Sequence, residues 1–192
     1  ILKETAESLI KTSEVKAQRT SEEEKARLWQ GYLLALKEAR EFGVTSIQIP
    51  GSSEIDAPDF EAFEKLQREG QLTSRIDIGK PLTADTIVLR NYIETAEKYP
   101  GEGNWIRFGY LKAFIDGTIG SGTALMFEPF TDNTSTSGLA RMPYEEFENM
   151  VVTADKFGFQ VGVHAIGDKG NNWTLNAYEK ALQINGKRDS RH

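Results

Sequence analysis

The chain has 192 residues, a net charge of −6 and no cysteine. That length fits one domain with a sizeable core, yet falls short of the roughly 250 residues of a complete eight-stranded (β/α) barrel. The acid excess argues against nucleic-acid and anionic-membrane partners. The lack of cysteine removes disulfides, thiolate nucleophiles and cysteine metal sites, and no run of about 18 apolar residues offers a membrane span.

Residues 1–42 read as two helices. In the first, Ile1, Leu2, Ala6, Leu9 and Ile10 recur at helical spacing. The second opens on Thr20-Ser21-Glu22-Glu23-Glu24, a capped start with acids in its first turn. It carries Leu28, Tyr32, Leu33, Leu36 and Ala39 on one face and stops at Gly43. Val44–Ile49 is a β-branched run closed by Pro50-Gly51, and so a strand. Residues 58–69 suit a helix with Phe60, Phe63 and Leu66 inward; 74–78 suit a strand and 83–99 a helix. Residues 107–115 are strand-like and run into a glycine-rich loop at 116–122. The polar stretch 128–141 has the composition of a surface excursion. A helix from Pro143 to Phe157, a strand over 159–166 and a helix over 171–184 complete the order. Strand and helix thus alternate about four times. Such alternation predicts parallel strands joined by helical crossovers. The expected fold is α/β: a partial (β/α) TIM barrel of about four parallel βα units behind two N-terminal helices. The chain opens at Ile1 and stops at Arg191-His192. Both ends read as cuts, which makes residues 1–192 a single-domain fragment of a larger barrel.

Two residues stand out chemically. His164 lies where an apolar strand gives way to Gly167-Asp168, and functional groups of parallel (β/α) folds gather at the C-terminal ends of strands. Neutral imidazole is a common metal ligand. A buried histidine hydrogen-bonded for packing explains that position as well. Lys112 lies in an apolar strand, where lysine is rare. An ammonium cannot bind a metal; the lysine must lose its proton or become a carbamate, whose two oxygens can bridge two divalent ions. A lysine that snorkels to the strand end, or pairs with Asp116, is the plainer account. The loop 117–122 is neither a GxGxxG fingerprint nor a P-loop. A tight turn accounts for its glycines as well as a phosphate site does.

Three stretches occur here in one order: Gly43-Val44-Thr45-Ser46, Leu111-Lys112-Ala113-Phe114-Ile115-Asp116-Gly117-Thr118-Ile119-Gly120-Ser121, and His164-Ala165-Ile166-Gly167-Asp168. With Leu2-Lys3-Glu4 and Asn185–His192, they make nearly the whole chain resemble the amidohydrolase superfamily. The similarity points to the branch with N-substituted formamide deformylase-like and imidazolonepropionase-like hydrolases. The resemblance implies a distorted barrel holding one or two divalent metals, usually zinc, in the intact parent. It puts Lys112 on the metal-bridging lysine and His164 on the histidine of the following strand. Asp116, Gly117 and Asp168 fall in the same motifs, as groups that order the loops behind the ligands. The family's His-x-His pair would lie upstream of Ile1; a further metal histidine and a catalytic aspartate would lie beyond His192. Gln48 stands where relatives often have histidine.

The function implied for the parent is hydrolysis of a non-peptide carbon–nitrogen bond (amide, formamide or cyclic amide) in a small-molecule substrate. With two ligands where three are typical, the fragment alone is expected to be inactive and to lack the metal. The competing reading is a non-catalytic structural or binding module that forms a homodimer through its exposed sheet edge. A third is a phosphate-binding α/β protein using residues 117–122.

Overall fold

A computed structural model of the chain describes residues 21–51, 60–101 and 103–192. The helix read within residues 1–20 lies outside the described residues. The elements are α1 (Ser21–Glu41), β1 (Ser46–Ile49), α2 (Phe60–Arg68), β2 (Arg75–Pro81), α3 (Thr86–Lys98), β3 (Ile106–Phe114), α4 (Tyr144–Lys156), β4 (Val161–His164) and α5 (Asp168–Asn185).

The four strands form one sheet in chain order, and every neighbouring pair is parallel. A parallel step needs a crossover, and α2, α3 and α4 supply the three. The sheet curls, with helices on its outer face, into half of a (β/α) barrel. None of the described helices is long and apolar enough to cross a membrane.

Apolar spacing sets which side of each element is inward. Phe60, Phe63 and Leu66 of α2 are buried together, the three residues that its periodicity singles out. On α1, Leu36 is buried and Trp29, Tyr32 and Leu33 pack against the core, but Leu28 faces solvent. Asp85 caps α3, its carboxylate accepting from the N–H groups of Ile87 and Val88, two of the donors that a helix start leaves unpaired.

The helix-facing side of the sheet carries Ile76, Ile78, Phe108, Leu111, Ala113 and Val161, all buried. Phe108 meets Phe60 of α2 and Tyr92 of α3, and Val161 is closed over by the mutually packed pair α4–α5. Each such Leu, Ile or Phe contributes about 1.5–3 kcal/mol relative to full exposure.

The opposite, concave side carries Gln48, Asp77, Arg107, Tyr110, Lys112, Phe114 and His164. This assignment depends on an irregularity in β3. Ile78 pairs with Phe108 and Lys80 with Leu111, so β3 uses one residue more than β2 over that step, a β-bulge at Gly109-Tyr110. Both bulge residues face the concave side. A Cβ on Gly109 would fall 1.7 Å from the Asp77 carboxylate, and one on Gly162 would fall 2.4 Å from the Tyr110 ring. The Asp77 carboxylate pairs with Arg107 at the N-terminal end of the strands.

β2 runs on to Pro81, three residues beyond the expected strand. Proline is tolerated there because β1 ends at the Ile49–Ile78 pair, leaving that side of β2 without a neighbour that would need its N–H. β4 is shorter than expected. The N–H of Phe159 turns back to Ala154 of α4, and Ile166 turns away to Asp116.

Candidate functional site

Lys112 and His164 share the concave side near the C-terminal ends of β3 and β4. Phe114 lies between them. It pairs in register with His164, the two rings are 5.1 Å apart, and the Lys112 ammonium lies 4.8 Å from the Phe114 ring centre. Lys112 itself is flanked in register by Pro81 and Gly162, one without an N–H and the other without a side chain. Half-buried among these groups, the lysine is held below its ordinary pKa by desolvation. Burial therefore shifts it toward the neutral amine that metal binding or carbamate formation needs.

His164 is 24 % exposed. Its Nε2 lies 2.9 Å from the carbonyl oxygen of Gly117. A carbonyl can only accept, so Nε2 is the donor, and in the neutral imidazole Nδ1 keeps its lone pair. The backbone of the loop thus selects the tautomer, as supporting groups around metal-site histidines do.

Asp116 is fully buried just past the end of β3. Its carboxylate accepts from the N–H groups of Leu125 at 2.9 Å, Ile166 at 3.0 Å and Gly167 at 2.8 Å. It therefore ties the loop after β3 to the loop after β4. Asp116 lies 3.8 Å from His164 Nε2, too far for a hydrogen bond. Asp168 opens α5 and accepts from the N–H groups of Phe127 at 2.9 Å and Lys169 at 2.7 Å, pinning the same two loops a second time. Close backbone packing completes the joint: a Cβ on Gly167 would fall 1.9 Å from the Leu125 carbonyl.

Four of the six N–H groups of the loop 117–122 are used internally. Those of Gly117 and Thr118 go to the carbonyl and hydroxyl of Thr123, that of Gly122 goes to Ile119, and that of Ser121 to the Thr118 hydroxyl. A phosphate cradle needs such groups turned outward, whereas these four turn inward, as in a tight turn.

Lys112, Phe114, Asp116, Gly117 and His164 are thus brought together, with Asp168 bracing them from α5. Gln48 sits apart on β1, paired with Asp77. Arg141, not singled out in the sequence, also reaches this end, its guanidinium carbon 5.7 Å from the Phe114 ring centre. Only its place at the end of a polar stretch marked it, and that suggested surface. Among the described residues no group of three or more His, Cys, Asp or Glu could hold a metal. As part of a centre, a deprotonation-prone lysine and an imidazole with a defined lone pair on one face do fit a divalent ion.

This geometry has relatives. The profile of the Amidohydrolase family matches residues 1–192. Protein LONG AFTER FAR-RED 3 of Arabidopsis thaliana is 46% identical over 87 residues, 45% of this chain and 15% of that protein. The putative amidohydrolase YtcJ of Bacillus subtilis (strain 168) is 40% identical over 87 residues, 45% of this chain and 16% of that protein. Two solved structures are similar, each an uncharacterized metal-dependent hydrolase. The one from Pyrococcus horikoshii OT3 has a TM-score of 0.61 at 30% identity, over 77% of this chain and 29% of its own. The one from Pyrococcus furiosus has a TM-score of 0.63 at 31% identity, over 93% and 36%. The matches span under a fifth of these curated relatives and about a third of the solved structures. With a profile match over its whole length and these structural likenesses, the chain belongs to the amidohydrolase family.

Proposed function

We propose that this chain is one segment of a larger metal-dependent hydrolase that cleaves a non-peptide carbon–nitrogen bond of a small molecule. Within the family we assign it to the branch with N-substituted formamide deformylase-like and imidazolonepropionase-like enzymes. One observation carries the proposal: Lys112 and His164 flank Phe114 on the concave side, at the strand ends where (β/α) barrels place their chemistry. The solved relatives described as metal-dependent hydrolases support it.

Lys112, as neutral amine or carbamate, and His164, through Nδ1, would hold the ion. A divalent metal such as zinc, one or two ions, would supply Lewis-acid polarisation of the scissile carbonyl and a lowered pKa for the attacking water. The chain's own residues do the rest of the local work. Gly117 fixes the histidine proton on Nε2. Asp116 and Asp168 lock the two loops from which that carbonyl is presented. Phe114 and Pro81 exclude water beside the lysine, preserving its lowered pKa. Catalytic zinc typically has three protein ligands. The remaining ligand and a proton-shuttling carboxylate would come from beyond this pair, so the chain alone is expected to be inactive.

The test is elemental analysis and turnover of the full-length protein carrying Lys112→Ala or His164→Ala. Loss of metal together with activity is expected; either variant with both intact would overturn the proposal. A non-catalytic module is the second reading, favoured by β1 and β4 having no further strand beside them among the described residues. It predicts a metal-free dimer in light scattering.

A further inference from the structure

We propose that Tyr178 and His192 are positioning residues for the His164 imidazole: they grip the outer edge of β4 and so set where that strand presents the ring. This rests on the hydrolase reading above for His164 as a ligand, and adds two residues that act through it. β4 is only four residues long and pairs with β3 on one side; no other described strand lies beside it. Toward β3 it turns the carbonyls of Gln160 and His164, which accept from the N–H groups of Leu111 at 2.9 Å and Ile115 at 3.0 Å. By the alternation of a parallel ladder, Val161 and Val163 turn their backbone groups outward.

Side chains take the place of a strand on that outer edge. The Tyr178 hydroxyl of α5 donates to the Val161 carbonyl at 3.2 Å, and the Val163 backbone hydrogen-bonds the same oxygen. One hydroxyl thus makes both contacts that a residue of a neighbouring strand makes. The Val161 N–H donates to His192 Nδ1 at 3.1 Å. The Tyr178 and His192 rings pack on each other, their centres 4.9 Å apart. This grip has a firm footing. His192 Nε2 donates at 3.1 Å to the buried Asp155 carboxylate, which also accepts from Arg188 at 2.9 Å. Arg188 donates in turn to the Phe159 carbonyl at 2.9 Å. The start of β4 is therefore tied to α4, to α5 and to the residues after α5. A short strand held on one side alone opens readily. Held on both, it keeps the His164 ring against Phe114 and its Nε2 on the Gly117 carbonyl. The groups of a site keep their geometry where supports of this kind lock them.

The test uses the full-length protein and its Tyr178→Phe, His192→Ala and His192→Gln variants, with Leu66→Ala in the buried face of α2 as a control. Two quantities are read: the His164 tautomer, by proton–nitrogen NMR correlation of the imidazole in metal-free protein, and zinc affinity, by competition with a chelator. The wild type should hold the His164 proton on Nε2. Tyr178→Phe, which keeps the ring and loses only the hydroxyl, and His192→Ala should each mix the tautomers and weaken zinc about tenfold, as loss of a supporting partner does. His192→Gln can still accept from Val161 and donate to Asp155, and should recover most of the loss. Leu66→Ala lowers stability through another part of the core and should move neither quantity. A wild type that binds no zinc, with the tautomer still disturbed by Tyr178→Phe, would count against the hydrolase reading and support the grip. Tyr178→Phe and His192→Ala proteins with the wild-type tautomer and zinc affinity, or a Leu66→Ala protein that loses both as they do, overturn the proposal.

Discussion

Asp116→Ala tests the joint between the loops. The carboxylate is fully buried and accepts from three backbone N–H groups: Leu125, Ile166 and Gly167. Alanine leaves all three without their acceptor. A buried donor left unpaired costs about 1–3 kcal/mol. Water entering the vacated space recovers part of this, so a loss of about 3–5 kcal/mol is expected, a large share of the 5–15 kcal/mol that typically holds a domain together. Asn is informative because it keeps the shape. One oxygen remains an acceptor, but the new amide group points a donor at a donor, and a loss of about 2 kcal/mol follows. Urea unfolding followed by far-ultraviolet circular dichroism measures both values, and hydrogen exchange at the three amides localises them. If Asp116→Ala lies within about 1 kcal/mol of wild type, with the amides still protected, Asp116 does not hold the loops and the reasoning fails.

Other expectations can be checked with the same unfolding assay. Gly167→Ala, whose Cβ would fall 1.9 Å from a carbonyl, should destabilise by at least about 2 kcal/mol; Gly170→Ala, 2.8 Å from the Asp116 carboxylate, should cost less. Arg188→Ala removes the guanidinium from buried Asp155, which also accepts from Asn185 at 2.8 Å and His192 at 3.1 Å, and should cost about 3 kcal/mol. Burial by itself raises the Asp155 carboxyl, but the hydrogen bonds from Asn185 and Arg188 and the neighbouring positive charge outweigh it and hold the group below its ordinary value. That stability is present above the ordinary carboxylate range and is lost as pH falls through the lowered value, so Arg188→Ala should flatten the acid limb of the stability curve. His192 behaves in the same sense for a different reason. Burial lowers its pKa from 6.5, and both nitrogens are already used in the neutral form, Nδ1 accepting from Val161 and Nε2 donating to Asp155. The unfolded chain takes up a proton that the folded imidazole refuses, so stability should fall as pH drops below about 6.5, and His192→Gln should remove that slope.

Much of this arrangement is legible in the sequence because periodicity is a local property. The α/β alternation, the inward residues of α2 and the positions of Lys112 and His164 at strand ends all follow from patterns within a few residues. Where spacing misleads, a distant partner decides. The expected strand stops at Ile78, but β2 runs on to Pro81, beyond the reach of β1. Leu28 matches the apolar period of α1 yet is exposed, while Trp29 packs inward. The boundary of β4 is set by Asp116, some fifty positions away. Arg141 looks like part of a polar surface stretch until its N–H is seen to return to Ile115. The Asp155–Arg188–His192 cluster brings α4 together with the residues after α5, which no local window reveals.

The extra residue in β3 fixes the phase of everything that follows it on the strand. Side chains of a strand alternate between its two faces, so the odd step at Gly109-Tyr110 inverts the alternation once. Because of that inversion, Leu111 and Ala113 meet the helices while Lys112 and Phe114 meet the interior of the barrel. A variant lacking either bulge residue would keep every functional group and still turn the strand inside out, driving the lysine into hydrocarbon and two apolar residues toward the substrate. The chemistry proposed for this chain therefore depends on parity: a single extra backbone position just ahead of Lys112 determines which face of β3 is functional.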